Sequence, residues 1–340
     1  MRLSPFLLIT VAVAVVVFAL SRILQNDYIF FAGYVVLQFI VLATAWNILG
    51  GYCGYVNFGT AAFFALGAYT SVALHKFDPG KWNIELPGLD IPLAFLAPLF
   101  PLPILVLVVV GGVVSGIVGL GMGYLTLRLR GAFFAIATLA MAVVLQTLVI
   151  NWDYVGGSRG AYIIRPNSLN VLGLEVPYIQ YLFLLMLVLA VAALTTARTI
   201  ERSRLGFGFA TIRDDELAAE ACGVPTLRLK LIATTLSGAF MGMAGAPFPY
   251  YIGYLEPASA FGLAYAVNSI AMPMIGGTTS WIGPLIGAIL LGTLQQVATV
   301  TISSAVNLLL VGVLLVAFVV IAPNGIMGIV QDRMRARRRT

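Results

Sequence analysis

Arg213, Asp214, Asp215, Glu216 and Glu220 crowd together in an otherwise apolar chain. The chemistry open to them is electrostatic: a charged helix face that another protein can grip. The pattern predicts a short helix over residues 213–222. Thr211 and Asp214 have capping-box spacing, the acids that follow suit the positive end of the helix dipole, and Gly223 with Pro225 ends the helix. A helix this short is marginal alone in water. Glu216 and Glu220, four apart, also repel each other. A partner or neighbouring helix ends must therefore hold it. Arg213, Leu217 and Glu220 share one face, and Ala218, Ala221 and Cys222 form a small flat one. Such a helix suits a groove in another protein; a helix resting on a bilayer surface has the same pattern.

Other chemistry has little to work with. The single histidine, His75, lies at the end of an apolar run, and no nucleophile, base and orienter come together in the sequence, so no catalytic residue is assigned. A phosphate loop needs a lysine followed by Ser or Thr, but Lys76, Lys81 and Lys230 precede Phe77, Trp82 and Leu231. If this chain takes part in active transport, another chain supplies the energy. Cys53 and Cys222 match no metal-ligand spacing and read as small packing residues, so neither a metal nor a bound cofactor is expected.

The elements that must position the charged run are membrane helices. The chain is 61% hydrophobic and 9% charged, whereas soluble domains carry about 25% charged residues. Apolar runs at 5–24, 30–49, 56–75, 103–127, 132–151, 178–197, 229–247, 261–278, 281–300 and 305–322 each approach the ~20 residues of a bilayer crossing. Spans must be helical, because lipid offers the backbone no other partner. The expectation is an all-α, polytopic bundle of about ten transmembrane helices. It forms one domain with a cytoplasmic loop at 198–230 and a basic tail at 331–340. The first apolar run reads as an uncleaved span rather than a signal peptide. Proline-rich 92–102 reads as an interfacial or re-entrant piece.

Alternating the spans places Arg2, Arg128, Arg130, the basic residues of 198–230 and the tail arginines on one side. Arg22, Lys76, Lys81, Arg159 and Arg165 fall on the other. The richer side, which includes both termini, is cytoplasmic by the positive-inside rule. The net charge of +6 is thus a matter of topology and not a nucleic-acid surface. The outer segments 76–92 and 152–177 carry charges of both signs and suit either solvent or an external partner.

Two glycine-rich junctions interrupt the spans. Gly54, Asn57, Gly59 and Thr60 belong to one, Gly276 and Gly277 to the other, and together they are the candidates for a translocation path. A tight helical hairpin explains the same glycines. Gly112 and Gly116, Gly119 and Gly123, and Gly238 and Gly242 have the spacing of close helix packing. The neutral polar residues of the spans, Gln38, Asn268 and Gln295 among them, suit hydrogen bonds between helices or a wet path. No charged residue lies well inside an expected span, which disfavours ion-coupled carriers.

At this point the motifs resemble a known family. Arg213 to Glu216 followed by Glu220, Ala221, Cys222 and Gly223 is similar to the cytoplasmic coupling loop of ABC importer permeases. Gly51, Gly54, Phe58, Gly59 and the run Ala62–Tyr69 resemble LivM-type permeases of the branched-chain amino-acid ABC importer family. So do Leu127 to Ala132, Phe134 to Leu139, Met274 to Gly277, and Gly283 with Pro284. The resemblance covers about 40–330. It departs at Asn57 and Thr60, where many relatives carry Ser and His. It implies a bacterial inner-membrane permease for a small-molecule substrate, working with a homologous second permease, two cytoplasmic ATPases that use ATP, and a periplasmic substrate-binding protein. On that reading Arg213, Asp214, Asp215, Glu216 and Glu220 contact the ATPase and Gly223 ends the helix. Urea and amide permeases share much of the pattern, and an ion-coupled carrier or channel is the alternative without a motor.

Overall fold

The computed structural model describes residues 4–301 except 24–25, 79–82, 87–88, 93–101, 166–167 and 172–173, together with 309, 312–313, 316–317, 320 and 325–328. Its helices are α1 (Ser4–Ile23), α2 (Asp27–Leu49), α3 (Thr60–His75), α4 (Ile104–Thr126), α5 (Ala132–Ile150), α6 (Tyr178–Glu201), α7 (Arg204–Asp214), α8 (Glu216–Ala221), α9 (Thr226–Gly245), α10 (Phe248–Ile252), α11 (Pro257–Ala260), α12 (Leu263–Gly276) and α13 (Ile282–Thr301). Seven stretches among the described residues are long and apolar enough to cross a membrane. Two of them join shorter pieces, α9 with α10 and α11 with α12.

Seven of the ten expected spans are met among the described residues, and α1 lies where the first was expected. Of the span expected at 56–75, α3 keeps 16 residues, because the chain stays unwound to Gly59. Asn57 fixes that unwound turn: its Oδ1 accepts the Gly59 amide at 2.7 Å, and Trp46 Nε1 donates to its carbonyl at 2.9 Å. Apart from isolated residues, 305–322 lies outside the described residues, as do most of 92–102 and all of the tail 331–340.

The loops at one end are not purely irregular. β1 (Asn83–Leu86) pairs antiparallel with β2 (Leu89–Pro92), β3 (Ala161–Tyr162) with β6 (Tyr254–Leu255), and β4 (Ser168–Val171) with β5 (Leu174–Pro177). The all-α expectation holds for the bundle, and these short two-stranded pieces lie in its connections. Each ladder satisfies backbone groups between or beyond the helices, where no helix does so.

α2 is the hub, with every residue from 37 to 49 buried. A helix buried all round is a core helix. α3, α4 and α9 pack at backbone contact: a methyl on Gly67 would lie 1.9 Å from the Gly242 carbonyl oxygen. The four-residue glycine spacings are therefore packing devices. Polar side chains also link spans: Gln295 Nε2 donates to Asn268 Oδ1 at 2.8 Å, and Gln38 Nε2 to the Ala244 carbonyl at 3.3 Å.

The loops sort to two ends as alternation requires. At one end, His75 meets Tyr250, Tyr154 donates to the Ala73 carbonyl, and Arg165 donates to the carbonyls of Tyr250 and Tyr251. At the other, residues 50–59, 127–131, 201–230 and 277–281 converge, as the contacts below show.

Candidate functional site

The charged run folds as two helices, not one. Ser203 caps α7, its Oγ accepting from the amides of Leu205 and Gly206. Asp215 is extended, at φ −159° and ψ 109°, so it ends α7 and begins α8, and its Oδ1 accepts the Ala218 amide at 3.0 Å. The expected start at Thr211 and Asp214 is corrected: Thr211 donates back to the Gly208 carbonyl, and Asp214 is the last residue of α7. Asp215 wins because an acid in extended backbone can cap the amides ahead of it. The shared face of Arg213, Leu217 and Glu220 is lost at this break.

The predicted stop holds. Gly223 sits at φ 81°, its amide donating to the Glu220 carbonyl and the Val224 amide to the Ala219 carbonyl, each at 3.0 Å. This paired closure needs a left-handed residue, which favours glycine.

α9 begins at Thr226, earlier than expected, which puts Lys230 inside a helix and 2% exposed. Its Nζ donates to Glu216 Oε1 at 2.6 Å, to the Leu127 carbonyl at 3.1 Å and to the Tyr55 hydroxyl at 3.2 Å. The ammonium's three donors thus each have an acceptor. The Tyr55 hydroxyl donates in turn to Glu216 Oε2. Arg130, from the α4–α5 connection, reaches Glu216 at 3.6 Å and Glu220 at 3.2 Å. Glu220 also accepts from the Thr226 hydroxyl at 2.8 Å. The expected repulsion between Glu216 and Glu220 is therefore offset by a shared arginine.

Burial alone raises the Glu216 carboxyl, but hydrogen bonds from Lys230 and Tyr55 and the charges of Lys230 and Arg130 outweigh it and hold the group below the usual carboxylate value. Burial, with the hydrogen bond to Glu216, pushes the Tyr55 phenol up, so it remains a donor.

The remaining candidates have distinct places. Arg213 and Asp214 are exposed and pair at 3.3 Å. Gly54, at φ 79°, lies against Arg213, where a methyl would come 2.9 Å from the arginine Cγ. Phe207, Leu217, Ala218, Ala221 and Cys222 are exposed around these charges. Cys222 is therefore not the packing residue expected, while Cys53 is buried. Thr60 is fully buried, and its hydroxyl meets no partner among the described residues. Gly276 and Gly283 interlock in the α12–α13 hairpin.

The two glycine junctions touch: a methyl on Gly51 would lie 2.6 Å from the Thr278 carbonyl oxygen. Glu201, at the end of α6, joins them, accepting from the Trp281 amide at 2.8 Å and the Tyr52 hydroxyl at 3.4 Å. Sequence reasoning missed Glu201, Tyr55 and the roles of Arg130 and Lys230. Their signal was position alone, at the edges of apolar runs. Among the described residues no three His, Cys, Asp or Glu side chains converge as metal ligands.

The chain has known relatives. A family model described as branched-chain amino acid transport system / permease component matches residues 28–319. The high-affinity branched-chain amino acid transport system permease protein LivM of Salmonella typhimurium is 27% identical over 325 residues, covering 88% of this chain and 70% of its own length. The protein of the same name from Escherichia coli is 26% identical with the same coverage. A probable permease protein LivH of Methanocaldococcus jannaschii is 23% identical over 80% of this chain and 83% of its own. No solved structure is detectably similar.

Proposed function

The chain belongs to the branched-chain amino acid transport permease family, and from that premise we propose that it carries branched-chain amino acids across the bacterial inner membrane as one subunit of an ABC importer. The match across residues 28–319 carries this reading. In both Salmonella typhimurium and Escherichia coli a LivM and a LivH permease are similar to this chain, which favours a second, homologous permease as its partner. Two ATPases at the 201–230 end and a substrate-binding protein at the opposite end complete the assembly proposed. The positive-inside pattern supports a cytoplasmic 201–230 end and cytoplasmic termini.

In this mechanism ATP is bound and hydrolysed by the partner subunits. Arg213, Asp214, Asp215 and Glu220 meet the motor, Glu216 holds α8 to the bundle, and motor closure rocks the spans so that substrate passes between the two permeases. Thr60, with its unsatisfied hydroxyl beside the unwound 50–59 junction, is the strongest path candidate. Gly54 lies beneath α7, and Gly276 and Gly277 in the hairpin, positions that suit transmission of movement better than contact with substrate.

The test is co-expression with the neighbouring ATPases and binding protein, reconstitution in proteoliposomes, and uptake of labelled leucine, urea and acetamide. ATP-dependent leucine uptake is the expected result. Uptake of urea or acetamide alone reassigns the substrate, and leucine uptake without any ATPase refutes the ABC reading.

A further inference from the structure

We infer that Lys230 is a positioning residue that makes α8, the start of α9, the 127–131 connection and the 50–59 junction move as one body. The inference rests on the importer reading above. Lys230 is 2% exposed, and its three N–H donors are bound to three different segments: Glu216 of α8, the Leu127 carbonyl, and Tyr55 of the junction. Moving α8 relative to α9 leaves a buried ammonium and a nearly buried carboxylate without partners, which is costly. Moving them together costs none of these bonds.

The body extends further through Tyr55. Its ring meets Phe134 of α5 edge-on at 5.1 Å, and the Phe58 amide donates to Thr138 of α5 at 3.1 Å. α9 in turn packs at backbone contact on α3. A push delivered to the exposed side chains around α8 therefore reaches the junction below Thr60 without passing through a loose joint. α8, six residues long, has little stability of its own with which to transmit force. Its rigidity is borrowed from Glu216 and Lys230.

The experiment compares Lys230→Met, Tyr55→Phe and the exposed control Arg228→Met in the reconstituted complex. It measures leucine uptake, ATP hydrolysis and retention of the ATPase on the purified permease. With Lys230→Met the ATPase stays bound and ATP hydrolysis continues, while uptake per ATP falls at least about fivefold, the lower end of typical coupling free energies. Tyr55→Phe, which keeps the ring contact with Phe134, lowers uptake per ATP in the same direction by a smaller factor, and Arg228→Met leaves it unchanged. Adding Glu216→Met to Lys230→Met causes less further loss than Glu216→Met alone, because the pair acts as a unit. If Lys230→Met does not fold, Tyr55→Phe decides. Unchanged uptake per ATP in the variants that fold, even with lowered thermal stability, overturns the inference and leaves a merely structural lysine. A wild-type complex without ATP-dependent uptake overturns the importer reading instead.

Discussion

Gly276→Ala tests whether the α12–α13 junction is an interlocked hairpin. Gly276 is the last residue of α12, and a methyl there would lie 1.8 Å from the Gly283 carbonyl oxygen and 2.5 Å from its carbon. Real contacts of this kind essentially never fall below 3.0 Å, so the two helices must part at the turn. The opposing atoms are backbone and cannot rotate away. From the other side, a methyl on Gly283 would lie 1.7 Å from the Gly277 carbonyl oxygen, so no slack exists there either. Overpacking costs about 1–3 kcal/mol, and backbone against backbone belongs at the upper end, ~3 kcal/mol. The control is Gly121→Ala on the exposed side of α4, where a methyl meets nothing within 4 Å. That change removes a helix-interior glycine and stabilises by about 0.5–1 kcal/mol. Thermal melts of detergent-purified protein, followed by the monodisperse fraction on size exclusion, give the two shifts. Opposite signs are expected. Equal shifts would refute the interlock and return Gly276 to the role of a path residue.

Three further outcomes follow from the site. Glu216 is held below the usual carboxylate value, so its stabilisation is fully present above the unfolded value and is lost as pH falls through the folded one. Unfolding of the wild type at pH 6 and in steps below pH ~4 should therefore show a steeper acid loss than Glu216→Gln, which has no proton to take up there. Cys222 is exposed at the 201–230 end, whereas burial pushes the Cys53 thiol up to about 12. An impermeant maleimide should then label Cys222 in inside-out vesicles but not in intact cells, and Cys53 in neither; labelling of Cys222 in intact cells would reverse the orientation. At the opposite end Tyr162 and Ile164 are 77% and 88% exposed. Tyr162→Ala with Ile164→Ser should lower uptake driven by the binding protein about fivefold, as loss of about 1 kcal/mol at an interface does, with ATPase retention unchanged.

Much of the bundle was legible because lipid removes choices. A long apolar run must be a helix, so seven spans could be read from the sequence with only their ends shifting. The close-packing role of the spaced glycines was legible for the same reason. The break at Asp215 was not. Asp214 and Asp215 are equally good caps, and the choice between them depends on where Glu216 finds its lysine. α7 was missed because Gly206 and Gly208 lower helix propensity. Their presence is tertiary: a methyl on Gly206 would lie 2.3 Å from the Ile200 carbonyl oxygen. Lys230 read as a loop cation because the acceptors that permit its burial lie in segments that only the fold brings near.

The burial of Lys230 among acceptors from three segments explains the site. A buried ion pair is weak evidence for stability, since desolvation consumes much of the attraction. An apolar pair between α8 and α9 would hold them together as well. It would not fix their relative position, because apolar contacts tolerate sliding and rotation. Three directed hydrogen bonds from one ammonium do not. Arg130 adds a fourth constraint by spanning Glu216 and Glu220, which lie on successive turns of α8. A helix of six residues held this way has one orientation, and the exposed charges beside it, Arg213 and Asp214, are presented at a fixed angle to the bundle. For a subunit that must be moved by another protein's hydrolysis, a single defined geometry matters more than the kilocalories the pair contributes.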